Sequence, residues 1–477
     1  MKFQQTYIDG VWVPARGASQ TPVIDSYTEQ PFASYRTSSL DDVNLAVGAA
    51  SRAIGSWGAL PVDARIAYVR KIASALEERA DELTQMISRE VGMPRKLASR
   101  VQVGGPIAAW KGYADIASTL DWEKRVGHSL VQQVPVGVIA CITPWNYPFH
   151  QITGKVAPAL LAGCTVVLKP SELAPCSAFV LAQAIEQADL PPGVFNLVHG
   201  TGAEIGEALV RNPGIDMVSF TGSTRAGRHI AALAGSDVKR LALELGGKSA
   251  ALVMPGADLA AAVKGTLASC FLNSGQTCSA TTRLLVPRES LKVVASLCSE
   301  LVVNYTMGDP ADTKTRLGPL ISSAQRQKVL HMIEQALQQG AVRWSPATQV
   351  PSHGFFVTPT VLGQVTPEMD IAREEVFGPV LVVIGYDSID EAVTIANGTD
   401  YGLAATVWGE TPALALTVAR RLRAGQIDIN GAPFNPAAPF GGFRKSGLGR
   451  ENGRYGIEEF LEPVSIQMPI SHFTDTN

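Results

Sequence analysis

Charged residues are scarce in this 477-residue chain. Asp, Glu, Lys and Arg make up 17% of it, and 40 basic against 43 acidic side chains leave a net charge of −3. No basic block disturbs that balance, which argues against a nucleic-acid partner. Long hydrophobic runs are also missing. The longest, Val156 to Leu168, is interrupted by Pro158 and Gly163 and is too short to span a bilayer. The first ten residues, Met1 to Gly10, lack the apolar core of a secretory signal. A cytoplasmic protein with no membrane partner is the expectation. Cysteine is sparse too: Cys141, Cys164, Cys176, Cys270, Cys278 and Cys298 are scattered, with no C-x-x-C pair and no interleaved histidines. That spacing predicts neither a disulfide scaffold nor a metal site, and it fits reduced thiols.

What the chain does have is 46% hydrophobic residues, 44 Gly and 30 Pro. This is the composition of a large globular protein whose buried elements are joined by many turns. At about 150 residues per domain, the length predicts two large domains or three smaller ones. Residues 64–90 carry apolar side chains at helical spacing, interleaved with Arg and Glu. From Val134 onward short apolar strands alternate with helices. Strands are expected at Val136–Thr143, Thr165–Lys169, Val194–Val198, Met217–Thr221 and Leu241–Leu243. Helices are expected from Pro148 to about Leu161, at Ser177–Gln187 and at Glu204–Arg211. Such alternation predicts an α/β fold with a doubly wound parallel sheet, whose ligands bind at the carboxyl ends of the strands. The alternation restarts at Ser249 and runs to about Asn430, which predicts a second α/β domain.

Three glycine-rich turns invite a phosphate reading. His199-Gly200-Thr201-Gly202 joins strand to helix, but the next glycine is Gly206, so the G-x-G-x-x-G spacing fails. Phe220-Thr221-Gly222-Ser223-Thr224 also joins strand to helix, and its amides and the Ser223 hydroxyl suit a pyrophosphate at a helix N-terminus. Leu245-Gly246-Gly247-Lys248-Ser249 imitates the end of a Walker A motif, but Ala242 stands where that motif needs Gly, which excludes an NTPase. Each turn alone is equally a structural N-cap. Two in one parallel sheet point to a nucleotide. Lys169-Pro170-Ser171-Glu172 closes a strand with a cation and a carboxylate that suit two ribose hydroxyls, or simply form a solvated turn.

The most informative segment is Phe271-Leu272-Asn273-Ser274-Gly275-Gln276-Thr277-Cys278-Ser279. It sets Cys278 in a small, polar loop where a thiol can be reached and a backbone N–H left free, as a nucleophile requires. Cys270, flanked by Ala268 and Phe271, reads as a core thiol. Glu244 ends an apolar strand, a setting that raises a carboxyl pKa and suits a general base; pairing with a nearby Lys or Arg is the alternative. Asn146, in Pro144-Trp145-Asn146-Tyr147-Pro148, is either an oxyanion donor or a turn residue.

Taken in order, these motifs resemble the aldehyde dehydrogenase superfamily. Glu374-Glu375-Val376-Phe377-Gly378-Pro379 and Pro439-Phe440-Gly441-Gly442 extend the resemblance almost to the end of the chain. It implies two Rossmann-like domains: a cofactor domain of residues 1–118 and 134–246, and a catalytic domain of 247–447. A small β bridging extension of 119–133 and 460–477, with Glu462–Met468 as an edge strand, would serve oligomerisation into a homodimer or homotetramer. By the same resemblance Cys278 is the nucleophile, Glu244 the general base, and Asn146 with the Cys278 N–H the oxyanion hole. NAD, with NADP possible, would meet Trp145, Lys169, Ser171, Glu172, Gly222, Ser223, Leu245, Glu375 and Phe377.

The implied reaction is oxidation of an aldehyde to a carboxylic acid through a Cys278 thiohemiacetal and thioester, hydrolysed by water that Glu244 activates. CoA-acylating or thioester-hydrolysing relatives, and cofactor-binding proteins with little turnover, are the alternatives. Tyr147, His150, Gln151 and Gly154 share one helix face by their spacing. In the family that face lines the substrate tunnel, with Leu272, Thr277, Ser279, Phe434 and Phe440 as further walls. Glycine at 154 either leaves room for bulky, aromatic or heteroaromatic aldehydes, with His150 and Gln151 adding polar groups that an aliphatic tail would leave poorly paired, or is a helix-packing glycine whose gap Tyr147 or Phe434 fills.

Overall fold

The segment Val138–Ile142 is apolar and buried at every position, and Thr165–Lys169 and Met217–Thr221, though they include Thr, Ser and Lys, are buried at every position too. Strands without an exposed face must lie inside a sheet covered on both sides, which is the signature of parallel pairing. The computed structural model, which describes residues 1–469, shows that arrangement. In one eight-stranded sheet Arg240–Glu244, Met217–Thr221, Val138–Ile142, Thr165–Lys169 and Phe195–Leu197 lie side by side in parallel. The hairpin of Gln5–Ile8 and Val11–Pro14 closes one edge antiparallel, and Gly447–Leu448 closes the other. The fold is α/β.

Several elements differ in detail from the sequence reading. The strand expected over Val136–Thr143 narrows to Val138–Ile142, because Pro144 supplies no ladder N–H and Val136 leaves the sheet after Pro135. The helix expected at Glu204–Arg211 starts earlier, with a π-helical turn at Gly202–Gly206 capped by Thr201, before Glu207–Arg211. The helix Pro148–Ala162 begins on Pro148, whose missing N–H costs nothing at a first position, and stops at the left-handed Gly163.

A second sheet has seven strands. Thr360–Gly363, Val380–Tyr386, Thr281–Pro287, Ser249–Val253, Ala404–Trp408 and Gln426–Ile429 run parallel, with Val342–Arg343 antiparallel at one edge. Gly447, where the second domain was expected to end, already pairs with Glu244 of the first sheet. The polypeptide also leaves both sheets to form a three-stranded antiparallel ribbon. Leu461–Gln467 pairs with Ser129–Pro135 over seven residue pairs, and Ser129–Pro135 pairs with Glu123–Val126. Six of the seven residues in Leu461–Gln467 are exposed. Residues 470–477 of the expected extension lie outside the described residues.

The topology brings chemistry to one rim. Glu244, Thr221 and Lys169 are the last residues of neighbouring parallel strands, and Asn146 follows a fourth. That rim faces the loop that carries Cys278. Among the described residues, no helix is long and apolar enough to cross a membrane.

Candidate active site

Cys278 differs from the other five cysteines in exposure: all of those are buried, whereas Cys278 is partly accessible. Its loop is stapled from within. After the helix Leu259–Phe271 the chain turns sharply, with Asn273 and Ser274 both in left-handed conformations. Gln276 holds the turn: its Nε2 donates to the Asn273 carbonyl at 3.1 Å and its Oε1 accepts from the Ile321 N–H at 2.9 Å. Gly275 has φ +77°, and a Cβ there would lie 2.0 Å from the Gly378 carbonyl, so only glycine fits. Gly247 is constrained in the same way, since a Cβ would sit 2.5 Å from the Cys278 carbonyl oxygen. Asn146 joins the loop to the first sheet by donating from Nδ2 to the Gln276 carbonyl at 3.0 Å.

Glu244 is 4% exposed, and neither carboxylate oxygen has a hydrogen-bond partner. The alternative of an ion-paired structural Glu therefore fails. Burial, reinforced by the neighbouring Glu451, pushes its pKa well above the usual carboxylate range. The Cys278 thiol is also pushed up, by burial first and then by the Glu244 and Glu375 carboxylates. Cys270 is fully buried, with its Sγ directed at the Val380 carbonyl, as a core thiol should be.

The proposed cofactor residues line the rim beside these groups. Lys169 is buried, its Nζ lies 3.3 Å from Glu172, and desolvation lowers its pKa. Ser171 accepts from the Leu173 N–H. Ser223 caps the twelve-residue helix Thr224–Gly235, accepting from the Ala226 N–H at 3.2 Å, and the Gly222 N–H donates to the Glu244 carbonyl. Leu245 packs so closely on that helix that a Cβ at Gly227 would meet its side chain at 2.4 Å. Glu375 accepts from the Gly247 N–H at 3.0 Å, and Phe377, in a left-handed conformation, stands edge-on to Trp145 at 5.3 Å. A helix N-terminus with a hydroxyl cap, a Lys–Glu pair and a second carboxylate is a donor set that fits the pyrophosphate and the two riboses of a dinucleotide.

A sequence profile of the aldehyde dehydrogenase family matches residues 12–466. The chain belongs to the aldehyde dehydrogenase family. It is 43% identical to a 3-succinoylsemialdehyde-pyridine dehydrogenase from a Pseudomonas species, over 97% of this chain and 98% of the relative. Among solved structures it resembles a Cys-to-Ala mutant of aldehyde dehydrogenase C from Pseudomonas syringae, complexed with NAD+ and octanal. That match has TM-score 0.96 and 44% identity, and covers 99% and 98% of the two chains. An aldehyde dehydrogenase of Mycobacterium tuberculosis complexed with NAD+ gives TM-score 0.96 at 36% identity, covering 98% of this chain and 99% of that one. This aldehyde dehydrogenase is thus an oxidoreductase acting on aldehydes.

The residues expected to line the tunnel are placed less simply. Tyr147 Oη and Thr277 Oγ1 share a 2.7 Å hydrogen bond, and Thr277 Oγ1 also donates to the Leu272 carbonyl. His150 stands edge-on to Tyr147 at 6.2 Å, and burial lowers its pKa against the opposing pull of Glu451. The Gln151 Oε1 accepts from Thr221 Oγ1 at 3.1 Å, so this amide is engaged by the first sheet. Gly154 does not face a wholly apolar space. A Cβ there would lie 3.5 Å from Glu451 Oε2. Phe434 and Phe440 pack edge-on at 6.3 Å, with Phe434 half exposed, and Ser279 is partly buried.

Four further residues of this aldehyde dehydrogenase escaped the sequence reading. Lys155 is 1% exposed and pairs with Glu451 at 2.6 Å, placing an ion pair beside Glu244. A lone Lys in the otherwise buried helix Pro148–Ala162 was the available signal. Gln325 donates to the Phe377 carbonyl at 2.9 Å, and Lys328 to the Glu375 carbonyl at 3.2 Å. They support the Glu375–Phe377 segment from the helix Ser323–Gln338, and nothing in their local sequence marks them.

Proposed function

We propose that this aldehyde dehydrogenase is a hydrolytic, NAD-dependent enzyme that converts aldehydes to carboxylic acids through a thioester on Cys278. The observation that carries the reading is the buried, unpartnered Glu244 carboxyl on the rim that faces the loop of the accessible Cys278. A carboxylate with no protein partner and a raised pKa is poised to take a proton from water. Cys278 attacks the carbonyl as its thiolate. The oxyanion that forms is held by the second Nδ2–H of Asn146 and the Cys278 N–H. NAD, held by the residues assigned to it below, would supply the hydride acceptor that oxidation of the Cys278 adduct requires. Glu244 then deprotonates the water that releases the acid. Burial and the neighbouring carboxylates raise the Cys278 pKa, so a positive charge nearby would favour the reactive thiolate.

NAD as cofactor is supported by the NAD+ complexes of two structural neighbours and by the donor set along the rim. Trp145, Lys169, Ser171, Glu172, Gly222, Ser223, Leu245, Glu375 and Phe377 are assigned to it. Residues 1–118 and 134–246 form the cofactor domain and 247–447 the catalytic domain, and the exposed ribbon of 119–133 and 460–469 joins subunits of a homodimer or homotetramer. A cytoplasmic setting accords with six free thiols.

The cofactor assignment predicts preference for NAD over NADP. Glu172 accepts from ribose hydroxyls and repels a 2′-phosphate, while Lys169, already paired with Glu172, offsets this only in part. The ratio of kcat/KM should favour NAD by about tenfold, the equivalent of ~1.4 kcal/mol. Equal or better use of NADP in steady-state assays contradicts the assignment.

For the substrate, we assign bulky aldehydes, aromatic or heteroaromatic, to the face of Tyr147, His150 and Gly154. Support comes from the missing side chain at Gly154 and from the pyridine-bearing name of the Pseudomonas relative. A panel of benzaldehyde, pyridine-3-carbaldehyde and acetaldehyde tests it. The two rings should give kcat/KM at least about tenfold above acetaldehyde. Gly154→Trp should raise KM for the rings selectively, and an equal effect on all three removes Gly154 from the tunnel.

A further inference from the structure

Asn146 can stabilise an oxyanion only if its amide is held still, and the fold fixes it from behind. Its backbone carbonyl accepts two side-chain amides at once. One comes from Asn273 in the Cys278 loop, at 2.9 Å. The other comes from Gln102, also at 2.9 Å. Gln102 lies 44 residues away in sequence and is wholly buried. It sits on the seven-residue π-helical segment Ala98–Gly104, which runs into the helix Gly105–Ala117. A π-helical turn is a rare and costly conformation that tends to occur at functional sites. Here it carries a side chain that reaches the strand-to-helix turn at Asn146. A helical Gln in the core has no packing advantage over Leu or Met, and its Oε1 finds no protein partner. The amide is therefore an expensive way to fill space, unless its donor is what matters.

We infer that Gln102 is a positioning residue for the oxyanion hole, acting through the Asn146 peptide. The Asn146 side chain spends one N–H on the Gln276 carbonyl and has one left for substrate. The direction of that remaining N–H depends on the Asn146 backbone. With both acceptor sites of its carbonyl occupied, from the Cys278 loop on one side and from Gln102 on the other, the peptide plane cannot rock. The amide then meets the developing oxyanion without reorganisation, the condition under which such donors contribute most. Asn273 alone would tie Asn146 to the loop, so the two would move together. Gln102 adds an anchor from outside that loop.

The inference rests on Asn146 as oxyanion donor, and a double-mutant cycle separates the two. Gln102→Met keeps length and volume but removes the donor. It should lower kcat by about five- to thirtyfold while leaving the Kd for NAD and the thermal midpoint near wild type. Asn146→Ala should lower kcat more, and adding Gln102→Met to it should cost nothing further, because there is no amide left to aim. A purely structural Gln102 predicts the opposite: additive losses with a lowered thermal midpoint. If Gln102→Met does not fold, Gln102→Leu also removes the donor within a similar volume, and the same cycle is read with it. Wild-type kcat in the Gln102 variant, or losses that add to those of Asn146→Ala, overturns the inference alone. Wild-type kcat in Asn146→Ala overturns the oxyanion reading and the inference with it.

Discussion

Replacing Cys278 with Ala should abolish aldehyde oxidation, lowering kcat by roughly four orders of magnitude or more, while NAD still binds. The size of the effect follows from the absence of a substitute. Every other cysteine is buried, and Cys270, the nearest in sequence, points its Sγ at a backbone carbonyl. Water cannot stand in for the thiolate, because a hydrated aldehyde in this site would lack the covalent link that fixes the adduct against Asn146. NAD binding should persist because the residues assigned to it hold their places through other contacts: Ser223 on its helix cap, Glu375 on the Gly247 N–H and Lys169 beside Glu172. NADH absorbance and a fluorescence titration with NAD read the two properties separately. Substantial turnover in the variant removes Cys278 from the mechanism.

Glu244→Gln should divide the reaction into its two halves. The first turnover should still yield NADH, giving a burst, after which the enzyme stalls as the thioester accumulates. Loss of a general base slows deacylation by about 10²–10⁴-fold. The Glu244 carboxylate is among the groups that push the Cys278 pKa upward, second only to burial. Neutral Gln adds no negative charge beside the thiol, so Cys278 ionises no less readily than in the wild type, and its attack on the aldehyde should not be slower. Water attack alone then carries the deficit. Stopped-flow absorbance distinguishes the outcomes, and mass spectrometry of the stalled protein should find the acyl group on Cys278. A variant that loses the burst along with the steady state would mean that Glu244 acts before the hydride step, on the thiol itself.

The parts of the fold that could be read from sequence are those whose physics is local. Val138–Ile142, Thr165–Lys169 and Met217–Thr221 are short and mostly apolar with no polar alternation, as strands covered on both faces are, and the glycine- and proline-bearing turns follow at their ends. Cys278 was legible because its neighbours are small and polar, in contrast to those of Cys270. Interactions between distant segments were not legible. Lys155 and Glu451 are 296 residues apart, and only the closure of the fold brings them together. Helical spacing put Gln151 on the expected tunnel face, but not the bond that Thr221, on a neighbouring strand, donates to its amide. The space implied by Gly154 is real as a missing side chain, yet what borders it is a carboxylate from the far end of the chain. The π-helical turn at Ala98–Gly104 has no sequence signature comparable to a cap or a glycine, so neither it nor the direction of Gln102 could be anticipated.

The central claim is that Cys278 and Glu244 together make the reaction hydrolytic. It is tested most directly by mixing purified protein with NAD and benzaldehyde in the absence of CoA, and by following NADH and benzoate over many turnovers. The account predicts sustained turnover with one benzoate released for each NADH, and no acceleration when CoA is added. A single burst that stops at one NADH per active site until CoA is supplied would contradict it, and would make the protein an acylating enzyme.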